Sequence, residues 1–214
     1  AAGNGKRMCS GMPKVLHELA GVPMVERVIR TAESLNPESI HVVYGSGGAR
    51  VKQSLSHLPV NWIKQEERLG TGHAVSQAIP FCHEDDQVLV LYGDVPLISQ
   101  ATLSKLLEDT PENALGLVIT DKKNPSGLGR ILRNELGNII AIVEEKDASD
   151  QEKKITEVNT GILTASVRQL NKWLPQLKDN NNQNEYYLTD VVSFAVRDGV
   201  AVGGVISHCE QEMQ

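Results

Sequence analysis

The chain has 214 residues, of which 40% are hydrophobic, and a formal net charge of −6 at pH 7. This length suffices for one domain with a sizeable core, no apolar run is long enough to cross a bilayer, and the acidic balance argues against a broad nucleic-acid-binding surface. The cysteines Cys9, Cys82 and Cys209 are odd in number and lack metal-ligand spacing. They indicate neither a disulfide framework nor a zinc site, and they favour a reducing cytoplasm.

The opening segment, AAGNGKRMCSGMPK, combines glycines with cations. Gly3 and Gly5 allow backbone N–H groups to approach phosphate oxygens, and Lys6, Arg7 and Lys14 supply positive charge. The segment lacks the third small residue of a dinucleotide fingerprint and the Gly-Lys-Ser/Thr of a P-loop. It therefore predicts a polyphosphate-binding loop of another kind, and a glycine-rich turn with a solvated basic face is the alternative.

Helical and strand patterns then alternate along the chain. Apolar spacing predicts helices over 23–35, 72–79, 103–107, 167–174 and 188–196, and strands over 40–44, 60–63, 88–92, 115–119 and 158–163. Two further strands, 130–133 and 139–143, flank the turn residues 135–138 as in a hairpin. We expect an α/β fold: a Rossmann-like, doubly wound, mostly parallel sheet with a small antiparallel addition over one side of the pocket. In such a sheet, ligands bind beyond the carboxyl ends of the strands.

The segment QEERLGTGHAV, residues 65–75, leads into one of these helices. Gly70 and Thr71 present backbone N–H groups and a hydroxyl at a helix N-terminus, where an anionic or polar ligand can bind. A capped helix start without a ligand is the alternative. His73 in the same stretch is more typical of a surface or core histidine than of a catalyst.

The segment VLVLYGDVPL, residues 88–97, reads as a buried strand that ends at Gly93 and Asp94, before Pro96. This places a carboxylate at the sheet edge where ligands bind, beside a glycine that leaves space for a substrate. Asp94 is also the kind of hard oxygen ligand that Mg²⁺ prefers when it holds phosphates. The segment predicts a metal-binding aspartate, and a turn aspartate that caps the next helix is the alternative.

Eight segments of the chain occur in the order typical of one family: AAGNGKRM, MPKVLHELAG, LGTGHAV, LYGDVPL, GLGRI, VEEKDA, EVNTGIL and EYYLTD. Over nearly its whole length the chain resembles the bacterial uridyltransferase branch of the sugar-phosphate nucleotidyltransferases. The resemblance implies that UMP is transferred from UTP to N-acetylglucosamine 1-phosphate, with Mg²⁺ as the cofactor, giving UDP-N-acetylglucosamine and pyrophosphate. It also implies a cytoplasmic enzyme that supplies precursors of peptidoglycan and lipopolysaccharide.

The resemblance further implies which residues form the site. Gln65, Gly70 and Thr71 would recognise the uracil base, whose edge suits an amide that both donates and accepts hydrogen bonds. The other implied residues are Ala1, Ala2 and Gly3 beneath the uridine, Tyr92, Gly93 and Asp94 at the ribose and the metal, and Gly129, Glu144, Asn159, Tyr187 and Thr189 around N-acetylglucosamine. Glu144 as a hairpin-end charge and Asn159 as a strand-edge residue are the alternatives. Glu145 matches a variable position of the motif and is not expected to bind the sugar.

One nucleotidyltransferase domain is expected to occupy residues 1–214. The resemblance implies that a buried strand precedes the phosphate loop and that a later G-V-N-N segment supplies a second metal ligand, and we expect both to lie outside these residues. It also implies that the full-length protein carries a carboxyl-terminal left-handed β-helix, which acetylates glucosamine 1-phosphate and forms a homotrimer. No motif of that second domain occurs in the chain.

The expected reaction needs no general base, because the attacking sugar-phosphate oxygen is already ionised at neutral pH. Catalysis then consists of holding two anions in line and reducing their repulsion, for which Arg7, Lys14 and Mg²⁺ on Asp94 are the candidate groups. Two alternatives stay open: a nucleotidyltransferase that uses dTTP, CTP or another sugar phosphate, and a domain that binds a nucleotide sugar without turning it over.

Overall fold

The computed structural model describes residues 12–45, 48–207 and 212 of the chain. Its helices are α1 Met24–Glu33, α2 Ala49–Ser54, α3 Thr71–Ala78, α4 Gln100–Asp109, α5 Val167–Trp173 and α6 Val191–Arg197, with 3-10 turns at Lys14–Leu16, Ile79–Phe81, Glu152–Lys154, Leu174–Gln176 and Leu188–Asp190. Its strands are β1 Glu18–Leu19, β2 Val22–Pro23, β3 His41–Tyr44, β4 Asn61–Lys64, β5 Gln87–Val90, β6 Leu115–Asp121, β7 Arg130–Arg133, β8 Ile139–Val143, β9 Glu157–Ser166 and β10 Val202–Ile206. No helix in this part of the chain is long and apolar enough to cross a membrane.

Strand β9 lies at the centre of the main sheet, whose order is β10-β6-β9-β7-β8, with β5 also paired to β9. One edge of β9 pairs with β6. The other edge is shared: β5 ends with Val90 opposite Leu163, and β7 begins with Arg130 opposite Val158. Residues 159–162 of β9 therefore lie between the end of β5 and the start of β7. The loop that follows β5 and the loop that precedes β7 meet at this gap. The candidate site is centred there.

The α/β class is confirmed, and the strand pairing shows a mixed sheet. β6 and β10 are parallel, as are β3 and β4 in a separate two-stranded sheet, whereas β9 is antiparallel to β5, β6 and β7. The antiparallel part therefore reaches the middle of the sheet as well as one side of the pocket. An apolar run predicts a strand but carries no information about its direction or its neighbours, so the sequence indicates β9 without its central place.

The predicted hairpin is confirmed with the expected bounds, β7 and β8. The Asn134 side-chain oxygen accepts hydrogen bonds from the backbone N–H groups of Leu136 and Asn138, and Gly137 adopts a left-handed φ of 81°. Asparagine and glycine are the residues that such a turn requires, which is why the sequence predicts it well.

The structure differs from the sequence-based expectation in several elements, and α2, β1 and β2 form where no element was predicted. β5 ends at Val90, two residues earlier than predicted, so Tyr92 lies in the following loop. The predicted helix over 188–196 is divided into a 3-10 turn and α6. β10 was not predicted, because Gly203 and Gly204 lie inside it and glycine is depleted in strands.

Both faces of the main sheet are buried. On one face, Leu115 and Leu117 of β6 pack with the apolar residues of α5 and α6. On the other face, Val118 of β6 packs with Leu103 and Leu106 of α4. Alternate residues of β6 thus enter different apolar clusters, which explains its continuous apolar sequence. A separate cluster joins the helices α1 and α2 to β3: Val15, Leu16, Val25, Ile29, Val42, Val51 and Leu55.

Candidate active site

Tyr92 lies against the backbone of β9 at the gap between β5 and β7. Gly161 has a φ of 88°, and a Cβ atom built on it would lie 2.6 Å from the Tyr92 ring, so only glycine permits this approach. Burial raises the pKa of Tyr92 to about 12, the nearby Glu144 carboxylate adds to this effect, and a hydrogen bond with Thr71 opposes it. Tyr92 is therefore a neutral phenol that hydrogen-bonds with Thr71 and lies near the Glu144 carboxylate.

Lys14 and Asp94 meet beyond the carboxyl end of β5. The Lys14 Nζ atom lies 2.8 Å from Asp94 Oδ2, and the two side chains remain 41% and 36% exposed. Lys14 is anchored by Val15 and Leu16, the buried residues of its 3-10 turn. The structure thus brings together the predicted phosphate-binding cation and the predicted metal-binding carboxylate, and both remain accessible to a ligand.

Gly93, next to Asp94, is required by packing within the protein. A Cβ atom on Gly93 would lie 3.2 Å from Val25 Cγ2 and 3.5 Å from Val15 Cγ1. The missing side chain lets this loop approach α1 closely. The space for a substrate that the sequence suggests at this glycine stays a prediction.

The loop before α3 is held by the segment before α6. The Gly72 N–H donates to the Tyr186 carbonyl at 2.8 Å, and the Leu188 N–H donates to Thr71 Oγ1 at 3.0 Å. Gly70 has a φ of 111°, and a Cβ atom on it would lie 2.7 Å from the Tyr186 carbonyl oxygen. No side chain caps α3. The glycines and Thr71 therefore serve the loop's contact with its neighbour, and the alternative of a simple capped helix start does not describe it.

Gln65 lies directly behind this loop and is only 1% exposed. Its side-chain nitrogen lies 3.3 Å from the Gly70 carbonyl oxygen and 2.9 Å from His73 Nδ1. The structure therefore places the three predicted base-recognition residues, Gln65, Gly70 and Thr71, in one connected group.

The predicted sugar-binding residues meet at the start of β7. Thr189 Oγ1 donates to Glu144 Oε1 at 3.0 Å, and the Asn159 N–H donates to the Gly129 carbonyl at 2.8 Å. A Cβ atom on Gly129 would lie 3.4 Å from Glu144 Oε2, so the carboxylate lies directly over this glycine. Asn159 Oδ1 accepts the backbone N–H of Gly161 at 3.1 Å. These contacts connect the sugar-side residues to the same stretch of β9 that carries Tyr92.

Glu144 lies in an unfavourable environment for a negative charge. Burial raises its pKa, the hydrogen bond from Thr189 acts in the opposite direction, and the carboxylates of Asp190, Asp147 and Glu185 raise it further. Desolvation of a carboxylate costs free energy unless a ligand supplies hydrogen-bond donors. Glu144 is therefore suited to accept hydrogen bonds from a polyhydroxylated ligand.

Tyr187 takes a supporting position in the structure. It is 7% exposed, its hydroxyl donates to Asp147 Oδ2 at 3.1 Å, and it accepts from Gln183 Nε2 at 2.8 Å. Burial raises the pKa of this phenol to about 12. The hydroxyl is thus engaged with protein groups, and a role of Tyr187 in lining the sugar pocket stays a prediction.

Sequence reasoning did not find the ion pair between Arg130 and Glu145. Arg130 is 1% exposed, and its Nη2 atom donates to Glu145 Oε2 at 2.6 Å. The same oxygen accepts the Gly127 N–H at 3.1 Å, and Arg130 also donates to the Leu128 carbonyl. Arg130 lowers the pKa of Glu145. This pair fixes the two residues before Gly129, and an arginine inside the apolar segment GLGRI was the available signal.

Four predicted site residues, Ala1, Ala2, Gly3 and Arg7, lie outside the described residues, so their roles stay predictions. Among the residues that the structure describes, no three His, Cys, Asp or Glu side chains come together to hold a metal ion. A cation held by Asp94 would need further oxygen ligands besides this carboxylate.

An α/β sheet with a glycine-rich helix start, a buried amide and an exposed carboxylate at its strand ends is the arrangement of a nucleotidyltransferase. Residues 1–158 match the family model described as the MobA-like NTP transferase domain. The chain belongs to this family of nucleotidyltransferases.

Two curated relatives are similar to the chain over its whole length. The bifunctional protein GlmU of Coxiella burnetii (strain CbuK_Q154) is 59% identical over 214 residues, which are 100% of this chain and 47% of that protein. The bifunctional protein GlmU of Legionella pneumophila (strain Lens) is 50% identical over 219 residues, covering 100% of this chain and 48% of that protein. The chain therefore spans about half the length of the curated relatives it matches.

Solved structures share the fold at low sequence identity. The inositol-1-phosphate CTP transferase from T. maritima superimposes with a TM-score of 0.74 at 19% identity, over 96% of this chain and 82% of that chain. UDP-glucose pyrophosphorylase complexed with UDP-glucose gives a TM-score of 0.71 at 16% identity, over 92% and 85%.

Proposed function

We propose that the chain transfers UMP from UTP to N-acetylglucosamine 1-phosphate, forming UDP-N-acetylglucosamine and pyrophosphate in the cytoplasm for peptidoglycan and lipopolysaccharide precursors. The observation that carries the proposal is that Tyr92, packed on Gly161, interacts both with Thr71 of the predicted base site and with Glu144 of the predicted sugar site. A nucleotide sugar needs both a base site and a sugar site, joined where its phosphates lie. The identity of 50–59% to the two GlmU proteins supports the same assignment.

The base site is formed by Gln65, Gly70 and Thr71. The buried amide of Gln65 offers a fixed polar group to a flat heterocycle, and Gly70 lets the loop lie close against Tyr186. The Ala1, Ala2 and Gly3 backbone lies beneath the uridine in this proposal, and Tyr92 and Gly93 follow the ribose.

The sugar site is formed by Gly129, Glu144 and Asn159. Because Asn159 Oδ1 already accepts the Gly161 N–H, its amide nitrogen is the group that it presents to a ligand. An amide N–H suits the acetyl carbonyl oxygen of N-acetylglucosamine, and the Glu144 carboxylate suits the sugar hydroxyls. The Thr189 hydroxyl donates a hydrogen bond to Glu144, and the Tyr187 hydroxyl donates one to Asp147.

A divalent metal requirement is suggested for the family in general, and we propose Mg²⁺ with Asp94 as one protein ligand and the asparagine of the expected G-V-N-N segment as the other. The residues fit this ion, because Mg²⁺ keeps several waters and is commonly held by one or two carboxylates and the phosphates of a substrate. When bound, the ion would neutralise phosphate charge and act as a Lewis acid.

The reaction itself is a displacement at the α-phosphorus of UTP. An ionised phosphate oxygen of the sugar phosphate forms the new P–O bond, the bond between the α-phosphorus and its bridging oxygen breaks, and its electron pair leaves with pyrophosphate. No proton has to be removed from the nucleophile. Lys14, beside Asp94, and Arg7 donate hydrogen bonds to the phosphates and stabilise the leaving group.

For the full-length protein, we propose a homotrimer formed through a second, acetyltransferase domain. The support is the length of the GlmU relatives, which are described as bifunctional and of which the chain covers 47–48%. Gel filtration coupled to light scattering tests this part separately, and a monomeric full-length protein would contradict it.

The experiment that tests the proposed function measures pyrophosphate release by the full-length protein. UTP, CTP, dTTP, ATP and GTP are each combined with N-acetylglucosamine 1-phosphate, glucosamine 1-phosphate and glucose 1-phosphate. We expect the highest kcat/KM for UTP with N-acetylglucosamine 1-phosphate. A preference for dTTP or CTP, or binding of UDP-N-acetylglucosamine without turnover of any pair, would overturn the proposal.

A further inference from the structure

His73 and Gly70 hold the buried Gln65 amide in one orientation. The Gln65 side-chain nitrogen lies 3.3 Å from the Gly70 carbonyl oxygen and 2.9 Å from His73 Nδ1. A carbonyl oxygen only accepts hydrogen bonds, so the nitrogen of the Gln65 amide must face Gly70. Its second hydrogen then points to His73 Nδ1, which has to carry a lone pair to accept it.

The tautomer of His73 follows from this contact. A neutral imidazole has a single N–H group, so a lone pair on Nδ1 places the proton on Nε2. The Gln77 side-chain nitrogen is placed 3.3 Å from His73 Nε2 and 3.4 Å from Ser76 Oγ, and two N–H groups cannot share the contact with His73. Because the O and N atoms of an amide are assigned from the hydrogen-bond network, we infer the reversed Gln77 amide, with its oxygen at His73 Nε2. In this chain of contacts Gln77 fixes the tautomer of His73, and His73 fixes the amide of Gln65.

We propose that His73 is a positioning residue that determines which pyrimidine the nucleotide site accepts, an inference that rests on the proposed role of Gln65 in base recognition. Because both hydrogens of the Gln65 nitrogen point to Gly70 and His73, Gln65 presents its oxygen to the ligand. Uracil carries an N–H at ring position 3 and can donate to that oxygen. Cytosine carries an acceptor at the same position, so two acceptors would face each other and the base is rejected.

The position of α3 does not depend on His73. The helix start is held by the hydrogen bond from Gly72 to Tyr186 and by the one from Leu188 to Thr71. Substitution of His73 should therefore remove the shorter of the two contacts that hold the Gln65 amide, so that its orientation is less strictly fixed, while the loop keeps its place. A merely structural role would instead affect all nucleotides alike.

The test compares three nucleotides in His73 variants of the full-length enzyme. His73→Phe keeps a flat ring beside Tyr186, whose ring centroid is 6.5 Å away, and removes the acceptor. His73→Asn returns an acceptor oxygen close to the position of Nδ1. The kcat/KM values for UTP, CTP and dTTP are measured at saturating sugar phosphate, together with the Tm. Thymine shares the N–H of uracil at position 3, so dTTP serves as the internal control.

We expect the preference for UTP over CTP to fall about tenfold or more in His73→Phe, the loss of one well-made hydrogen bond. The preference for UTP over dTTP should stay unchanged, and His73→Asn should restore most of the discrimination against CTP. If His73→Phe does not fold, Gln77→Leu gives the same test. It lets the proton move to His73 Nδ1 and should also lower the UTP-over-CTP ratio.

Each contrary result is distinguishable. A wild-type enzyme that prefers UTP, with an unchanged UTP-over-CTP ratio in the folded variants, overturns the role of His73 and leaves the proposed function standing. An equal loss for UTP and CTP does the same. A wild-type enzyme that prefers CTP overturns both the proposed function and the orientation of Gln65.

Discussion

Lys14 and Asp94 form an ion pair of 2.8 Å between residues that are 80 positions apart in the chain. Both side chains are more than one-third exposed, and exposed pairs of this kind contribute about 1 kcal/mol or less to stability. The pair is therefore weak as a structural element. Its position beyond the end of β5 instead concentrates two opposite charges where phosphates and a cation would bind.

The first prediction concerns Asp94. Asp94→Asn keeps the size of the side chain but removes the charge, and a neutral amide binds Mg²⁺ far more weakly than a carboxylate does. We expect turnover to be nearly abolished, with little change in Tm. The control is turnover across a range of Mg²⁺ concentrations, and near-normal turnover at ordinary Mg²⁺ would contradict the metal assignment.

The second prediction concerns Lys14. Lys14→Ala removes the cation that we propose to stabilise the leaving pyrophosphate, and we expect kcat to fall on the order of a hundredfold while the Tm changes little. Lys105→Ala is the matched control, because Lys105 forms an exposed ion pair with Asp109 at 2.7 Å on α4. Similar kcat values for the two variants, or loss of the thermal transition in Lys14→Ala, would argue against a catalytic role.

The third prediction follows from the raised pKa of Glu144. A carboxyl group whose pKa is higher in the folded state contributes stability below its unfolded pKa, about 4.3, and loses that contribution as the pH rises through the folded pKa. Glu144→Gln cannot ionise, so the variant does not lose this stability as the pH rises, and its amide oxygen can still accept the hydrogen bond from the Thr189 hydroxyl. We expect a higher Tm than wild type at pH 8, equal values near pH 4, and a higher KM for N-acetylglucosamine 1-phosphate.

Two measurements check whether Glu144→Gln gains stability and loses affinity for the sugar phosphate: the Tm as a function of pH, and the KM for each substrate. The KM for UTP should be unaffected, since Glu144 lies on the sugar side. A Glu144→Gln protein that is less stable than wild type at pH 8 would show that the environment of Glu144 is not unfavourable to its charge.

The fourth prediction concerns the pair between Arg130 and Glu145. Glu145→Gln weakens the contact that fixes Gly127 and Leu128, and thus the placement of Gly129. We expect the KM for the sugar phosphate to rise with an unchanged KM for UTP. The lowered pKa of Glu145 also means that its stabilising contribution is present above its ordinary pKa and is lost as the pH falls through the folded one.

A second ion pair, between Arg133 of β7 and Glu157 of β9, provides the control for this prediction. The Arg133 Nη2 atom lies 2.6 Å from Glu157 Oε1, and neither residue contacts Gly127 or Leu128 through this pair, so Glu157→Gln should leave both KM values unchanged. An equal rise of both KM values in Glu145→Gln would indicate a general loss of structure rather than an effect on the sugar site.

The sequence predicts those parts of the fold that depend on local patterns. The hairpin β7–β8 is an example, because Asn134 and Gly137 specify its turn and two short apolar runs flank that turn. The place of β9 depends on pairing with β5 and β6, which are 36 or more positions away in sequence, and no local pattern encodes it. The mixed character of the sheet was therefore beyond a pattern-based prediction.

The same distinction applies to the candidate site. Gln65, Asp94 and Glu144 stand in motifs, and their residue types indicate their chemistry directly. The roles of His73 and Glu145 come from contacts with Gln65 and Arg130, across 8 and 15 positions of the chain. Their side chains carry no distinctive motif, so the sequence reads His73 as a surface or core residue and Glu145 as variable.

The sharpest test of the proposed sugar site is the choice of acceptor by the full-length enzyme with UTP, in wild type and in Asn159→Leu. We assign the Asn159 amide nitrogen to the acetyl carbonyl of N-acetylglucosamine 1-phosphate. We predict that wild type prefers this acceptor to glucose 1-phosphate by at least about tenfold in kcat/KM, and that Asn159→Leu loses most of this preference while its KM for UTP is unchanged. A wild-type enzyme that uses the two acceptors equally well, or an Asn159→Leu variant that keeps the full preference, would contradict this assignment.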